Sequence, residues 1–220
     1  MSKQKEGSKN LAHFIYNDVK RKIMTLELAP GSSLKEVEIS QMYDASRTPV
    51  REVIKELMFH SFIEYKEGRG NIVCPLSVDS YNSIFQLRSV LEILSTRLAT
   101  INWTQKDMVK LKENIEKQKV LLQKDYAPLE FLNLDREFHK LLVQISGNPY
   151  LCKQLENMYD HCFRYNYFCD FENRYSLAIN EHERILNFVV TRNIFAAQEE
   201  MKTHLSNINS EILIRLAKKL

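Results

Sequence analysis

The sequence predicts a mainly α-helical protein in which a small helical domain with a β-hairpin precedes a larger all-helical bundle. Four of the five glycines lie within the first 70 residues, and Gly147 is the only one that follows. Because glycine and proline interrupt helices, the long remainder is expected to be largely helical. Apolar residues recur at helical spacing on both sides of residue 75, which indicates two domains, 10–75 and 76–220, after a flexible N-terminus of residues 1–9.

Three helices and a hairpin are predicted in the first domain. Apolar periodicity predicts the first two helices, and Ser46 is a suitable N-cap for the third. Pro49 falls in the first turn of that third helix, where a missing N–H group costs nothing. The predicted elements are helices over 10–26 and 35–43, a third helix that opens at Ser46, and strands over 62–65 and 71–74 around a turn at 66–70. This order of elements is that of a winged helix-turn-helix.

Six helices are predicted in the second domain, which we expect to be an all-α six-helix bundle. A stripe of leucine and valine at helical spacing marks the first of them. The Ser-Gly-Asn-Pro segment at 146–149 is typical of the end of one helix and the start of the next. The predicted ranges are 78–100, 104–124, 127–146, 149–169, 173–190 and 193–218.

Composition excludes several classes of protein. With 44% apolar and 27% charged residues, the chain is not expected to be intrinsically disordered. No stretch approaches the ~18 apolar residues that a membrane-spanning helix needs. The lysine-rich start has no apolar segment behind it, and the four cysteines show no paired spacing. Together these features favour a cytoplasmic protein with free thiols and no membrane partner.

Two arginines near the start of the third predicted helix indicate a DNA-reading surface. Arg47 and Arg51 are four residues apart and so share one helix face, and arginine suits bidentate contact with guanine. Ser46 and Thr48, with the N–H groups of the helix N-terminus, suit phosphate oxygens. Arg69 at the tip of the hairpin can reach the neighbouring groove or backbone. The alternative interpretation is an ordinary solvent-exposed helix face.

The motifs around these residues resemble a known family. The run SRTPVRE at 46–52, followed by a GRG turn at 68–70, is similar to the winged-helix domain of the GntR superfamily of bacterial transcription regulators. This resemblance implies DNA contacts from Ser46, Arg47, Thr48, Arg51, Arg69 and Gly70. Asp44 and Ser61 stand where the family usually has turn glycines. Asp44 tolerates the left-handed conformation better than most residues, so we expect that turn to survive.

Three histidines and one aspartate in the second domain indicate a metal site. Asp135 and His139 are spaced i and i+4, which places both on one face of a helix. His182 and His204 lie on two further predicted helices, and convergence of the four would give an N3O ligand set. Such a set suits a divalent zinc, nickel, iron or manganese ion, and the spacing does not select among them. The alternative is that these are separate core histidines.

Residues 78–218 resemble the FCD domain, the all-helical effector domain of the FadR branch of the same superfamily. The matching features are Arg88 with Glu92, Asp135 followed by Phe138-His139, Ser146-Gly147-Asn148, Glu181-His182 with Ile185, and His204-Leu205. The resemblance implies that Asp135, His139, His182 and His204 are metal ligands and that the effector is a small carboxylate. Candidate contacts to that effector are Arg88, which could instead form a salt bridge with Glu92, and Arg164.

Three functions remain to be weighed at this point. The favoured one is a ligand-responsive transcription factor that binds an inverted-repeat, double-stranded DNA operator as a homodimer. A DNA-binding metal sensor without an organic effector is the second. A metal-dependent hydrolase is the third, although no motif supplies an obvious general base. The net charge of +3 predicts weak non-specific DNA binding and reliance on specific contacts.

Overall fold

The computed structural model of the chain describes residues 2–123, 128–170 and 174–220. The chain divides into two units, Met1–Leu76 and Ser77–Leu220. The first contains three helices and a hairpin, and the second is all-helical over its described residues. The predicted fold class, mainly α with a small hairpin near the N-terminus, is therefore confirmed.

The first unit has the element order of a winged helix-turn-helix. Its elements are α1 (Ser2–Met24), α2 (Glu36–Met42), α3 (Arg47–Phe59), β1 (Ile63–Lys66) and β2 (Gly70–Val73). The strands are antiparallel, and Lys66 lies opposite Gly70, which leaves a three-residue turn at 67–69. The first strand begins one residue later than predicted because the amide of Phe62 donates to the carbonyl of Leu57 and closes the end of α3.

Helix α1 begins at Ser2, whereas the sequence predicts its start at residue 10. The segment expected to be a flexible N-terminus is therefore helical from Ser2 onward. Apolar periodicity cannot detect this part of the helix, because the first apolar residue of the stripe is Leu11.

Apolar faces of α1, α3 and the hairpin form the core of the first unit. Ile15, Val19 and Ile23 recur every four residues along α1 and are at most 2% exposed. The other core residues that are almost fully buried are Val50, Val53 and Leu57 of α3, Phe62, and Ile63, Ile72 and Val73 of the hairpin. This packing fixes α3 with its opposite, polar face toward solvent.

The second unit contains six described helices. They are α4 (Val78–Asn102), α5 (Gln105–Leu122), α6 (Pro128–Ile145), α7 (Pro149–Cys169), α8 (Tyr175–Val190) and α9 (Ile194–Lys219). Each lies within a few residues of its predicted range. The predicted bounds at 124, 127 and 173 lie outside the described residues. None of the helices in the described ranges combines the length and apolar character that crossing a bilayer requires.

The interior of this bundle is unusual in holding many charged and polar side chains. Those that are at most 8% exposed include Arg88, Glu92, Gln118, Asp135, His139, Glu181, His182 and His204. Apolar side chains such as Leu111, Phe138 and Met201 are buried among the same helices. Burying polar groups costs free energy unless they are hydrogen-bonded or bind an ion. The contacts of this cluster therefore bear directly on function.

Candidate nucleic-acid interface and metal centre

The N-terminus of α3 presents polar side chains to solvent. Ser46 occupies the N-cap position with extended backbone, and its hydroxyl makes no capping hydrogen bond to the helix. Arg47, Thr48 and Arg51 are exposed, whereas Val50 is fully buried. The polar face of α3 therefore offers hydroxyl, guanidinium and backbone N–H donors together, which are the groups that contact bases and phosphates.

Two arginines of this surface make contacts within the first unit. Arg51 Nε donates to Glu36 Oε2 at 2.9 Å, and Arg69 Nη2 donates to the carbonyl oxygen of Gly31 at 2.8 Å. The Arg51–Glu36 contact is an exposed ion pair, and such pairs contribute little free energy. A phosphate or a base edge can therefore replace Glu36 as the partner of Arg51 at small cost.

The turns before and after α3 have left-handed backbone at non-glycine residues. Asp44 has φ 46° and Ser61 has φ 59°. The structure thus bears out the expectation that Asp44 preserves the turn, and it shows that Ser61 also adopts the glycine-like conformation. In residues other than glycine, left-handed backbone conformation costs roughly 1–2 kcal/mol of conformational free energy.

Four side chains from three helices converge inside the second unit. Asp135 and His139 lie one turn apart on α6, His182 lies on α8, and His204 lies on α9. Each residue offers one ligand atom, and these atoms all lie within 4.8 Å of one another. The three histidines are fully buried, and Asp135 is 8% exposed.

Glu92 holds the first histidine. His139 Nδ1 lies 2.5 Å from Glu92 Oε2, and the other carboxylate oxygen of Glu92 accepts from Arg88 Nε. The Arg88 guanidinium also lies over the ring of Tyr159, 5.4 Å from its centroid. Burial favours the neutral carboxyl, but Arg88 and His139 outweigh it and lower the pKa of Glu92. Arg88 therefore forms a salt bridge with Glu92, which is the alternative to an effector contact that the sequence predicts.

Glu181 holds a second histidine in a similar way. His204 Nδ1 lies 2.7 Å from Glu181 Oε2, and Arg174 Nη2 donates to both oxygens of that carboxylate at 2.6 and 2.8 Å. Asn207 adds a further hydrogen bond at 2.8 Å. Although burial opposes the charge, His204, Arg174 and Asn207 together lower the pKa of Glu181 to about 2.

A neutral amide holds the third histidine. Gln118 Oε1 lies 3.0 Å from His182 Nδ1, and Gln118 Nε2 donates to Asn114 Oδ1 at 2.7 Å. Asn114 in turn donates to the backbone carbonyl of Leu134 on α6. This chain of amides fixes the orientation of Gln118, so that its oxygen faces the imidazole.

These contacts decide which nitrogen of each ring faces the centre. A carboxylate can only accept a hydrogen bond, so His139 and His204 carry their protons on Nδ1 and leave an electron pair on Nε2. The two Nε2 atoms lie 3.2 Å apart, and His182 Nε2 lies 3.6 Å from Asp135 Oδ1. Two ligands bound about 2.0–2.2 Å from one zinc ion are separated by about 3–3.5 Å. The residues therefore fit a metal ion.

The lowered pKa values of two of the histidines also favour metal binding. Burial, assisted by the neighbouring His204 and His139, lowers the pKa of His182 well below its ordinary value. Burial also lowers the pKa of His204, and Glu181 opposes this shift. Neutral imidazole is the form that binds a metal, so burial keeps these two rings ready for coordination. The Nε2 atom of His182 is buried and makes no hydrogen bond to the described residues.

A small cavity opens beside Asp135. Its volume is about 20 Å³, and Asn166, Arg174, Phe131 and Tyr175 contribute to its walls together with that aspartate. Arg88 and Arg164, the effector contacts expected from the sequence, do not line it. Both are buried, at 4% and 2% exposure.

Sequence reasoning missed the residues that orient the histidines. Gln118 and Asn114 were not singled out, although a polar pair at i and i+4 on the inner face of a helix is a detectable signal. Glu181 precedes His182 in the sequence, whereas its side chain contacts His204. No periodicity reveals which helices face each other, so this pairing needed the tertiary structure.

Comparison with known proteins agrees with this architecture. The family described as "Bacterial regulatory proteins, gntR family" matches residues 11–73, and the FCD domain family matches residues 83–207. The first match contains the helix-turn-helix and the hairpin. The second contains the four converging side chains.

Individual relatives extend over most of the chain. The HTH-type transcriptional repressor RspR of Escherichia coli is 27% identical over 90% of this chain and 87% of its own length. The HTH-type regulator YdhC of Bacillus subtilis is 26% identical, over 87% of this chain and 86% of its own. The solved structure of McbR/YncC from E. coli superimposes with a TM-score of 0.78 at 21% identity and covers 92% of this chain and 96% of that one. The chain therefore belongs to the gntR family of bacterial regulatory proteins, in the group whose second domain is an FCD domain.

Proposed function

We propose that this transcriptional regulator binds an inverted-repeat DNA operator as a homodimer, and that a small carboxylate bound at a metal ion in the FCD domain modulates its DNA affinity. One observation carries the metal part of the proposal. One ring nitrogen from each of His139, His182 and His204 and one carboxylate oxygen of Asp135 lie within 4.8 Å of one another. When bound, a divalent ion supplies a Lewis-acidic centre that attracts a carboxylate.

The DNA part of the proposal rests on the exposed face of α3. Ser46, Arg47, Thr48 and Arg51 are exposed there, and Arg69 and Gly70 lie on the hairpin. We assign base contacts to Arg47 and Arg51, because bidentate arginine distinguishes guanine. Ser46, Thr48, Arg69 and the backbone at Gly70 would hold phosphates and fix the register.

An exposed apolar stripe on α4 supports the homodimer. Leu87, Val90, Leu94 and Ile101 are 59%, 67%, 38% and 46% exposed, at spacings of three, four and seven residues. These spacings place the four side chains along one face, in the pattern that pairs helices in coiled coils. The opposite face of α4 is used internally, because it carries the buried Arg88 and Glu92. A second copy of the chain is the occupant that an inverted-repeat operator requires.

The effector part of the proposal uses thermodynamic coupling between two sites. If the carboxylate changes operator affinity by some factor, bound operator must change carboxylate affinity by the same factor. Such couplings typically amount to about 5- to 150-fold. The alternative, a regulator that senses the metal alone, predicts that metal changes DNA affinity and that carboxylates have no further effect. The domain composition makes the chain a regulator, so a hydrolase is not proposed.

The test begins with an operator selected from a random duplex pool by the zinc-loaded, full-length protein. Operator affinity is then measured by fluorescence anisotropy for metal-free and zinc-loaded protein, each with and without small hydroxy acids, sugar acids and dicarboxylates. A change of about fivefold or more that requires both zinc and an acid supports the proposal. A change with zinc alone would favour the metal-sensor alternative.

Two further outcomes of this experiment test the homodimer and the effector role. A selected operator with two inverted half-sites supports the homodimer, and a single asymmetric site contradicts it. If neither zinc nor any acid alters DNA affinity, the effector role is overturned while DNA binding stands. The His182→Ala protein serves as the control, because its response to zinc and acid should be lost together.

A further inference from the structure

The two arginines on the exposed face of α3 differ in how they are held. Arg51 Nε donates to Oε2 of Glu36, the first residue of α2, at 2.9 Å. Arg47 lies one helical turn earlier and makes no hydrogen bond or ion pair with any residue that the structure describes. Both side chains are exposed, so the difference comes from the contact with α2 and not from burial. Arg51 therefore has a fixed direction, whereas Arg47 can change rotamer.

The backbone that carries Glu36 is anchored on both sides. Leu34 is 5% exposed, and its amide donates to the carbonyl oxygen of Asn71 on β2 at 2.8 Å. Ile39, three residues after Glu36, is 3% exposed. Core packing and a strand contact thus hold this end of α2, so the carboxylate that meets Arg51 extends from a rigid support.

The contact with Glu36 uses only one edge of the Arg51 guanidinium. This group carries five N–H donors, and the carboxylate accepts the one on Nε. Nη1 and Nη2 make no hydrogen bond to the described residues, and the side chain is 60% exposed. These two nitrogens can donate to O6 and N7 of guanine, which is the bidentate contact that distinguishes this base. A base therefore has no need to displace Glu36 in order to bind Arg51.

A side chain that is ordered before DNA arrives binds at a smaller entropic cost. Immobilising one flexible side chain on binding lowers affinity by about 2- to 13-fold. The Glu36 contact removes much of that freedom from Arg51 in the unbound protein. A weak contribution to folding stability is compatible with this effect, because the contact directs one side chain and need not stabilise the fold.

We propose that Glu36 is a positioning residue for DNA recognition, which holds Arg51 by its Nε atom so that the two terminal nitrogens meet one guanine of the operator. This inference rests on the proposed function, since it requires that Arg51 contact a base. The opposite role is that of a competitor, a carboxylate that DNA must displace from Arg51. Removal of the carboxylate weakens operator binding in the first case and strengthens it in the second.

The experiment measures fluorescence anisotropy of zinc-loaded, full-length protein on the selected operator and on a scrambled duplex. Glu36→Ala should weaken operator binding by about 2- to 13-fold for each half-site. Because it also removes a negative charge, its binding to the scrambled duplex should be unchanged or tighter. Glu36→Gln keeps an acceptor for the Nε proton and should bind the operator more tightly than Glu36→Ala. Glu38→Ala removes the same charge from an exposed position of α2, and its operator affinity should not fall.

Base-pair substitutions separate positioning from a loss of stability. Operator base pairs are changed one at a time, and the pair that Arg51 reads is the one at which Arg51→Ala loses its preference. Glu36→Ala should lower the preference at that base pair and keep the preference at the pair that Arg47 reads. A destabilised first unit would instead lower the preference at every position. Melting temperatures show whether each variant is folded, and Glu36→Gln against Glu38→Ala tests the inference if Glu36→Ala is not.

A double-mutant cycle tests whether the two residues act through one contact. In the Arg51→Ala background, Glu36→Ala should cause no further loss of operator affinity, because its partner is already absent. Additive losses in the double variant would overturn the positioning role. Tighter operator binding by Glu36→Ala would overturn it as well and make Glu36 a competitor.

The remaining outcomes separate this inference from the proposed function. If Arg51→Ala weakens operator binding and Glu36→Ala does not, the base contact of Arg51 stands and only the positioning role of Glu36 is overturned. If Arg51→Ala leaves operator affinity unchanged, the base contact assigned to Arg51 is wrong and the positioning role falls with it.

Discussion

The Nε2 atoms of His139 and His204 face each other across 3.2 Å in the interior of the helical bundle. Each ring donates its Nδ1 proton to a glutamate, so both facing nitrogens carry electron pairs. Two such atoms repel each other unless a cation lies between them. A cation between the two nitrogens would explain why two buried glutamates hold these two histidines in this orientation.

Removal of one imidazole should empty the metal site. His182→Ala deletes one of the four converging ligand atoms, so we expect the zinc content of protein loaded with zinc to fall from about one ion per chain to less than about a tenth. Elemental analysis of the purified protein measures this. His13→Ala, which changes an exposed histidine on α1, should retain its zinc. Full zinc content in the His182 variant would remove that residue from the site.

The side-chain amide of Gln118, which orients His182, should affect metal affinity nearly as strongly as a ligand does. Gln118→Leu removes the acceptor of the Nδ1 proton, and the loss of such outer contacts typically costs 10- to 100-fold in metal affinity. Competition with a chromophoric chelator measures the zinc Kd. Gln118→Glu keeps an acceptor and should stay closer to the wild type. Gln105→Leu, an exposed change on the same helix, should have no effect, and equal affinity in all three variants would contradict the positioning role.

Arginines at the start of α3 should carry the sequence preference of DNA binding. Arg47→Ala should weaken binding to the selected operator by about 5- to 150-fold, because one good bidentate contact is worth about 1–3 kcal/mol. Anisotropy measured on the operator and on a scrambled duplex gives the ratio of specific to non-specific binding, which should also fall. Lys106→Ala removes an exposed charge from the second unit and should leave that ratio unchanged. An unaltered ratio for Arg47→Ala would rule out the assigned base contact.

Relief of left-handed strain should stabilise the first unit. Ser61 has φ 59°, so Ser61→Gly should raise the free energy of unfolding by up to about 1 kcal/mol, after the extra entropy of an unfolded glycine is subtracted. Urea denaturation followed by circular dichroism measures the change. Ser61→Ala retains a Cβ atom and should give no gain. A similar gain for both variants would show that the backbone conformation is not the cause.

A charge in the middle of the apolar stripe of α4 should weaken self-association. Val90 is 67% exposed, and Val90→Asp would place a carboxylate in the dimer interface that we propose. We expect the dimer Kd, from sedimentation equilibrium, to rise at least about tenfold, since burying an unpaired charge is costly. Val109→Asp makes the same change at an exposed valine of α5. If only the Val109 variant dissociates, the interface lies on α5 and not on α4.

The amino-acid sequence by itself determined the helical class and the hairpin after three helices, and it placed Asp135 and His139 on one helix face. These follow from local information: breaker residues, apolar periodicity and the i, i+4 spacing of the two residues. His182 and His204 were added to that pair by the resemblance to the FCD domain, because local spacing does not show which helices face each other. The N-terminal extension of α1 escaped prediction because residues before Leu11 carry no apolar stripe.

Only the tertiary structure decided which partner each histidine receives. Glu92, Gln118 and Glu181 lie on three different helices, and their pairing with His139, His182 and His204 depends on how the helices pack. The same holds for Asn166 of α7, whose side chain lines the cavity beside Asp135 of α6. Hydrogen bonds between distant residues depend on a few tenths of an ångström, and local sequence patterns carry no information at that scale.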